Sequence, residues 1–153
     1  MTYTALHVLI SLVAILAGLI ALWGMLNSRR MDAMTLVFLV FTAATSLTGF
    51  GFPIHGQTPA LILGMLSSLM LIAAIAARYM FGLRGAWRTI YVATAVTALW
   101  FNVFVLIVQA FLKIAPLHAL APTGSEPSFF IAQGLVLVAF MIAGYLAVKR
   151  FRP

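Results

Sequence analysis

Residues 87–113 read WRTIYVATAVTALWFNVFVLIVQAFLK, and no charged residue occurs between Arg88 and Lys113. An uncharged apolar run of this length is typical of a membrane-spanning helix. Its strongly polar side chains are few and share one side, because at 100° per residue four of them fall within about 40° of one another. These four residues, which we call the helix 4 stripe, are Tyr91, Asn102, Gln109 and Lys113. Trp100 points the opposite way, so the segment predicts an apolar helix with one polar face.

The composition of the whole chain indicates an integral membrane protein. Of its 153 residues, 65% are hydrophobic and 7% are charged, whereas soluble domains carry roughly a quarter charged residues. The chain has no cysteine, which excludes disulfides, thiolate metal sites and thiol redox chemistry. We therefore predict a single membrane domain over residues 1–153.

Apolar runs before and after the quoted segment predict an all-α bundle of five transmembrane helices. Their expected bounds are about 6–26, 33–52, 59–80, 87–113 and 128–148. Asp32 is predicted to be the N-cap of the second helix, and Thr58 to cap the third with Pro59 at its first position. The segment from Ile114 to Glu126 is predicted to be a loop.

The first helix carries its small and polar residues on one face. Membrane helices pack through such faces, because lipid tails compete for large apolar side chains but do not replace close backbone contact. The face is formed by His7, Ser11, Ala14, Gly18, Ala21 and Met25. We expect it to face the rest of the bundle.

Basic residues predict the orientation of the bundle. Eight of them fall on one side of the five crossings: Arg29, Arg30, Arg78, Arg84, Arg88, Lys149, Arg150 and Arg152. The other side holds only Lys113. By the positive-inside rule, the N-terminus is outside and the C-terminus is cytoplasmic, as expected for a multi-pass protein of an inner (plasma) membrane. The high pI then reflects topology and contact with lipid headgroups, and no nucleic-acid partner is predicted.

The helix 4 stripe has two interpretations. Polar side chains inside a membrane are costly and usually face the bundle or a cavity, so the stripe is a candidate lining for the path of a small solute or ion. A pocket for a quinone or a lipid headgroup is equally compatible with it. Alternatively, Asn102 and Gln109 join helices by bonding the hydroxyls of the second helix, while Lys113 extends to the membrane surface.

Three histidines and an acid are predicted to lie together at the outer face. They are His7, His55, His118 and Glu126. Such a cluster is a candidate haem or divalent-metal site. No pair has the spacing of a ligand motif, so the alternative is ordinary loop and packing residues.

The expected function is non-catalytic. The chain has no paired carboxylates, no Ser-His-Asp pattern and no Gly-rich phosphate loop. The leading prediction is an accessory, scaffold or assembly subunit that packs with other membrane subunits, with lipids or with copies of itself, and that needs no cofactor. The alternatives are a small-solute or ion transporter or channel lined by the helix 4 stripe, and an outer-face haem or metal binder.

Overall fold

A computed structural model describes residues 2–53 and 58–153 of this protein. Every regular element within these residues is helical. The elements are α1 (Tyr3–Leu26), α2 (Asp32–Phe50), α3 (Pro59–Ile75, continued by a π-helical turn over Ala76–Met80), α4 (Ala86–Lys113), α5 (Ala115–Leu120) and α6 (Pro127–Arg150). All except the short α5 are long and apolar enough to cross a membrane, which confirms the predicted five-helix, multi-pass architecture.

Side-chain caps fix the starts of two helices. Thr58 accepts a hydrogen bond from the backbone N–H of Leu61 at 3.3 Å, as predicted, and Pro59 follows at the first helical position. Thr2 accepts from the N–H of Ala5 in the same way at 3.2 Å. This second cap lets α1 begin three residues before its expected start at about residue 6.

The predicted N-cap role of Asp32 is wrong. Met31 holds the position before α2 with a left-handed backbone (φ 45°), and Asp32 is already the first helical residue, with no side-chain capping bond to the helix. Its carboxylate is drawn instead to the guanidinium groups of Arg78 and Arg30. Both arginines contact Oδ1, so the carboxylate is oriented by charged hydrogen bonds and not by a capping bond.

The predicted loop between α4 and α6 contains the additional helix α5. Pro116 lies in its first turn, where a proline costs nothing because the first N–H groups of a helix have no intrahelical acceptor. α5 ends at Leu120, and Glu126 then holds the N-cap position of α6. The prediction of a loop throughout this segment is therefore wrong for residues 115–120.

Successive long helices pack side by side in an antiparallel bundle. α1 packs on α2, α2 on α3, α3 on α4 and α4 on α6, while α1 also contacts α4 and α6. We call the end that carries the α1–α2 and α3–α4 connections and the C-terminus the arginine end. The end that carries His7, Lys113 and α5 is called the histidine end.

The apolar core fills mainly the half of the bundle near the arginine end. Its members come from all five long helices and the C-terminal tail, and include Leu22, Met25, Phe38, Leu71, Ala77, Tyr91, Val92, Leu99, Ala147 and Phe151. Gly18 marks the inner limit of this packing, because the side chains of Phe38 and Leu99 rest against its backbone. The other half of the bundle contains a cavity between the helices.

Candidate functional site

A pocket of about 570 Å³ lies between α1, α2, α3 and α4 in the half near the histidine end. This volume is within the usual range for small-molecule sites, roughly 300–1,000 Å³. Most of its wall is apolar, and the polar residues that interrupt it are Thr4, His7, Ser11, Thr45, Ser46, Thr58, Ser67, Asn102, Gln109 and Lys113. The pocket therefore combines a hydrophobic body with a small set of hydrogen-bonding groups.

The pocket is about as deep as one leaflet of a bilayer is thick. Along α4 its lining runs from Lys113 down to Asn102, eleven residues or about 16 Å at the rise of an α-helix. Along α3 it runs from Thr58 to Ser67, nine residues or about 13 Å. Half of a hydrocarbon core is about 15 Å thick, so the depth of the pocket matches one leaflet.

His7 and Lys113 stand at the mouth of the pocket. Nδ1 of His7 shares a hydrogen bond with the hydroxyl of Thr48 at 2.7 Å, and the ring meets Phe52 edge to face at 5.2 Å. These two contacts fix the imidazole against α2. Lys113, by contrast, extends from the last turn of α4 and is exposed.

The charge of Lys113 is not balanced by a carboxylate in residues 2–53 and 58–153. Both salt bridges found there belong to Asp32 at the arginine end. Glu126, the other acid, accepts hydrogen bonds from Thr123 and Ser125 instead. Desolvation acts to raise the pKa of the Glu126 carboxyl, but these hydrogen bonds together outweigh it and lower that pKa. Lys113 is therefore a cation at the mouth of the pocket without an ion-pair partner among the described residues.

The floor of the pocket is closed by side chains and holds three polar groups. Asn102 donates from Nδ2 to the hydroxyl of Thr42 at 3.1 Å, which joins α4 to α2. Ser46 and Ser67 are buried beside the same cavity. Below them, the packing at Gly18 separates the pocket from the arginine end. The cavity is thus blind within the described structure.

The four residues of the helix 4 stripe have three different environments. Gln109 and Lys113 line the pocket, whereas Asn102 both lines it and makes the interhelix bond. Tyr91 lies at the arginine end, fully buried under the guanidinium of Arg78, whose Cζ is 5.2 Å from the ring centroid. The stripe is therefore not one continuous polar lining, although three of its members meet at the pocket.

Two of the histidines predicted to form a cluster lie at the histidine end, and His55 falls outside the described residues. Nδ1 of His118 in α5 lies 3.3 Å from the carbonyl oxygen of Phe111, while His7 is held by Thr48. The described part of the chain brings no three metal-ligating side chains together. Haem or metal binding by these residues stays a prediction.

The environments of three buried polar side chains were not anticipated from the sequence. The Arg78 side chain is 1% exposed and bonds the Asp32 carboxylate and, at 3.3 Å, the carbonyl of Arg30. Gln133 donates to the carbonyl of Phe104 at 3.1 Å and thereby links α6 to α4. The third is the buried hydroxyl of Ser67. The contact between Arg78 and Asp32 could have been suggested by the sequence, because Asp32 is the only acid predicted on the same side as the eight basic residues.

No known protein family, curated protein or solved structure matches this chain.

Proposed function

We propose that this protein binds an elongated amphipathic ligand from the surrounding bilayer, with the acidic end of the ligand at Lys113 and its hydrophobic body in the pocket. The observation that carries this proposal is the combination of a blind, mainly apolar cavity one leaflet deep with an unbalanced positive charge at its mouth. A charged group bound there stays close to water, where the cost of desolvation is small.

The walls of the pocket support an amphiphile over a small hydrated solute. Val8 and Leu12 on α1 and Leu106 on α4 line the cavity, and each side chain is about two-fifths exposed. A path for ions needs polar groups that replace the hydration shell of the solute, and aliphatic side chains do not provide them. A hydrocarbon chain meets no such cost, so we favour a binding site over a channel.

The orientation of the site follows from the basic residues. We propose that the N-terminus is outside and the C-terminus cytoplasmic in an inner (plasma) membrane, since eight basic residues lie on one side and Lys113 alone on the other. In this orientation the pocket opens toward the outer leaflet. The ligand then enters from the outer surface or from that leaflet.

The two lysines of the chain provide a matched test of the proposed site. Lys113 is at the pocket and Lys149 is exposed in the last turn of α6, at the opposite end. We expect the protein in phosphatidylcholine nanodiscs to bind dodecanoate above the background of protein-free nanodiscs. Lys113→Gln should weaken this binding about tenfold, because hydrogen bonds to charged groups contribute roughly 1.5–3 kcal/mol.

Lys149→Gln is the control and should leave the affinity for dodecanoate unchanged. Equal weakening by both substitutions would show a general effect of surface charge and not a site at Lys113. Binding no greater than that of protein-free nanodiscs would contradict the proposed function itself.

A second proposal is the accessory or assembly role indicated by the small-residue faces. The observation that favours it is the low burial of α6. Only 11% of the most apolar segment of this helix is buried in the bundle, the lowest share among the five long helices. Gly134 on this helix has open space where a side chain would begin. Native mass spectrometry from a mild detergent would detect a second copy or another subunit bound to the protein.

A further inference from the structure

One hydroxyl at the floor of the pocket lacks the hydrogen bond that its neighbours make. Ser67 is 3% exposed, lines the cavity, and its Oγ has no hydrogen-bond partner in the described structure. The adjacent Ser68 instead donates to the carbonyl of Gly64 at 2.8 Å. Hydroxyls in membrane helices commonly bond to a backbone carbonyl of the preceding turn in this way. The Ser67 hydroxyl therefore keeps an unused donor and acceptor beside the pocket.

Asn102 adds a donor and an acceptor to the same floor. The hydrogen bond from its Nδ2 to the hydroxyl of Thr42 fixes the orientation of the side-chain amide, so that the nitrogen faces Thr42. Oδ1 of Asn102 makes no hydrogen bond to the described residues, and one N–H of the amide remains for a further acceptor. With the buried hydroxyl of Ser46, the floor has groups that both donate and accept.

From these groups we propose that the floor is a second polar subsite, which binds a hydroxyl or carbonyl oxygen at the far end of the ligand. This inference rests on the proposed function, since it concerns the other end of the same molecule. Along α4 the floor at Asn102 lies about 16 Å below Lys113. The ligand class is therefore a long-chain acid with a second oxygen near the end of its chain.

An ordinary saturated chain fits this floor poorly. Its terminal methyl group would lie against Ser67 and would leave that hydroxyl buried without a partner. Leaving a buried polar group without its partner is more costly than the gain from a typical hydrogen bond. The site should therefore discriminate between an oxygenated chain and a plain chain of the same length.

Dodecanoate and its ω-hydroxy derivative test this selectivity directly, because they differ only in the terminal hydroxyl. We expect the wild-type protein in phosphatidylcholine nanodiscs to bind the ω-hydroxy acid about tenfold more tightly, after correction for partition into protein-free nanodiscs. Ser67→Ala should abolish this preference and retain binding of dodecanoate. Ser68→Ala is the matched control, since its hydroxyl is one residue away and bonded to its own helix, and it should keep the preference.

The outcomes separate this inference from the proposed function. Equal affinities of the wild-type protein for the two acids would overturn the second subsite and leave the pocket as a site for plain chains. A preference that survives Ser67→Ala would overturn the role of this serine. If neither acid binds above the protein-free background, the proposed function fails and the second subsite fails with it.

Discussion

Replacing Gly18 by alanine should destabilise the bundle at the boundary between its packed half and its pocket. A Cβ atom at this position would lie 2.5 Å from Cδ1 of Leu99 and 2.8 Å from Cδ2 of Phe38. Both distances are well below van der Waals contact, for which carbon atoms prefer roughly 3.5–4.0 Å. Leu99 and Phe38 are each about 1% exposed, so neither side chain has free space into which it can turn.

The size of the effect follows from two opposing contributions. Overpacking of a filled core costs about 1–3 kcal/mol, whereas alanine is better than glycine within a helix by about 1 kcal/mol. Gly134→Ala isolates the second contribution, because a Cβ at Gly134 meets no atom within 4 Å. The difference between the two variants should therefore be about 1–3 kcal/mol. For a chain of this length each kcal/mol corresponds to about 2–4 °C in the melting temperature.

Thermal unfolding of both variants in the same detergent measures this difference. Gly18→Leu should be more destabilising still, while Val13→Leu, at a half-buried position of the same helix, should change the melting temperature little. If Gly18→Ala melts at the temperature of Gly134→Ala, Leu99 and Phe38 do not confine position 18. The account of the closed pocket floor would then be wrong.

Two further predictions concern charge. Asp32→Asn should destabilise the protein more than the control Glu126→Gln in the same thermal assay, because it leaves the buried Arg78 without its carboxylate. The cost should be below the roughly 3–5 kcal/mol of a fully buried pair, since the Asp32 side chain is 70% exposed. Equal melting temperatures of the two variants would contradict this prediction. A reporter fused after Pro153 should behave as cytoplasmic and one fused before Thr2 as external, and the reverse result would refute the orientation inferred from the basic residues.

The long helices could be predicted because each depends on a local property of the chain. An uncharged apolar run such as the one that ends at Lys113 is expected to form a helix in a membrane, because a helix makes the hydrogen bonds of its backbone N–H and C=O groups within the segment itself. The start at Thr58 and Pro59 is equally local, since a capping hydroxyl and a missing N–H act within one turn. The role of Asp32 was mispredicted because its partner, Arg78, is forty-six residues away in the chain.

The pocket could not be predicted because it depends on the distance between helices. The small face of α1 was expected to face the rest of the bundle, and a face that packs closely was not distinguished from one that lines a cavity. Gly18, Ala21 and Met25 pack closely, but His7 and Ser11 on the same face line the cavity. Helical periodicity determines which residues share a face, and it contains no information on how far the opposite helix stands from each of them.

The helix 4 stripe shows that helical periodicity does not predict the role of each polar side chain, because that role depends on the residue that faces it on a neighbouring helix. Asn102 meets the hydroxyl of Thr42 and joins two helices, Tyr91 meets the guanidinium of Arg78, and Gln109 meets the cavity. The apolar core is concentrated near the arginine end, whereas the polar groups that line the cavity lie in the other half. A ligand that fills the cavity would supply contacts that this half lacks, so binding and stability should be linked there. Residues that seal the floor, such as Gly18, should then affect affinity only through the shape of the pocket, and Ser67 should affect it through a direct contact.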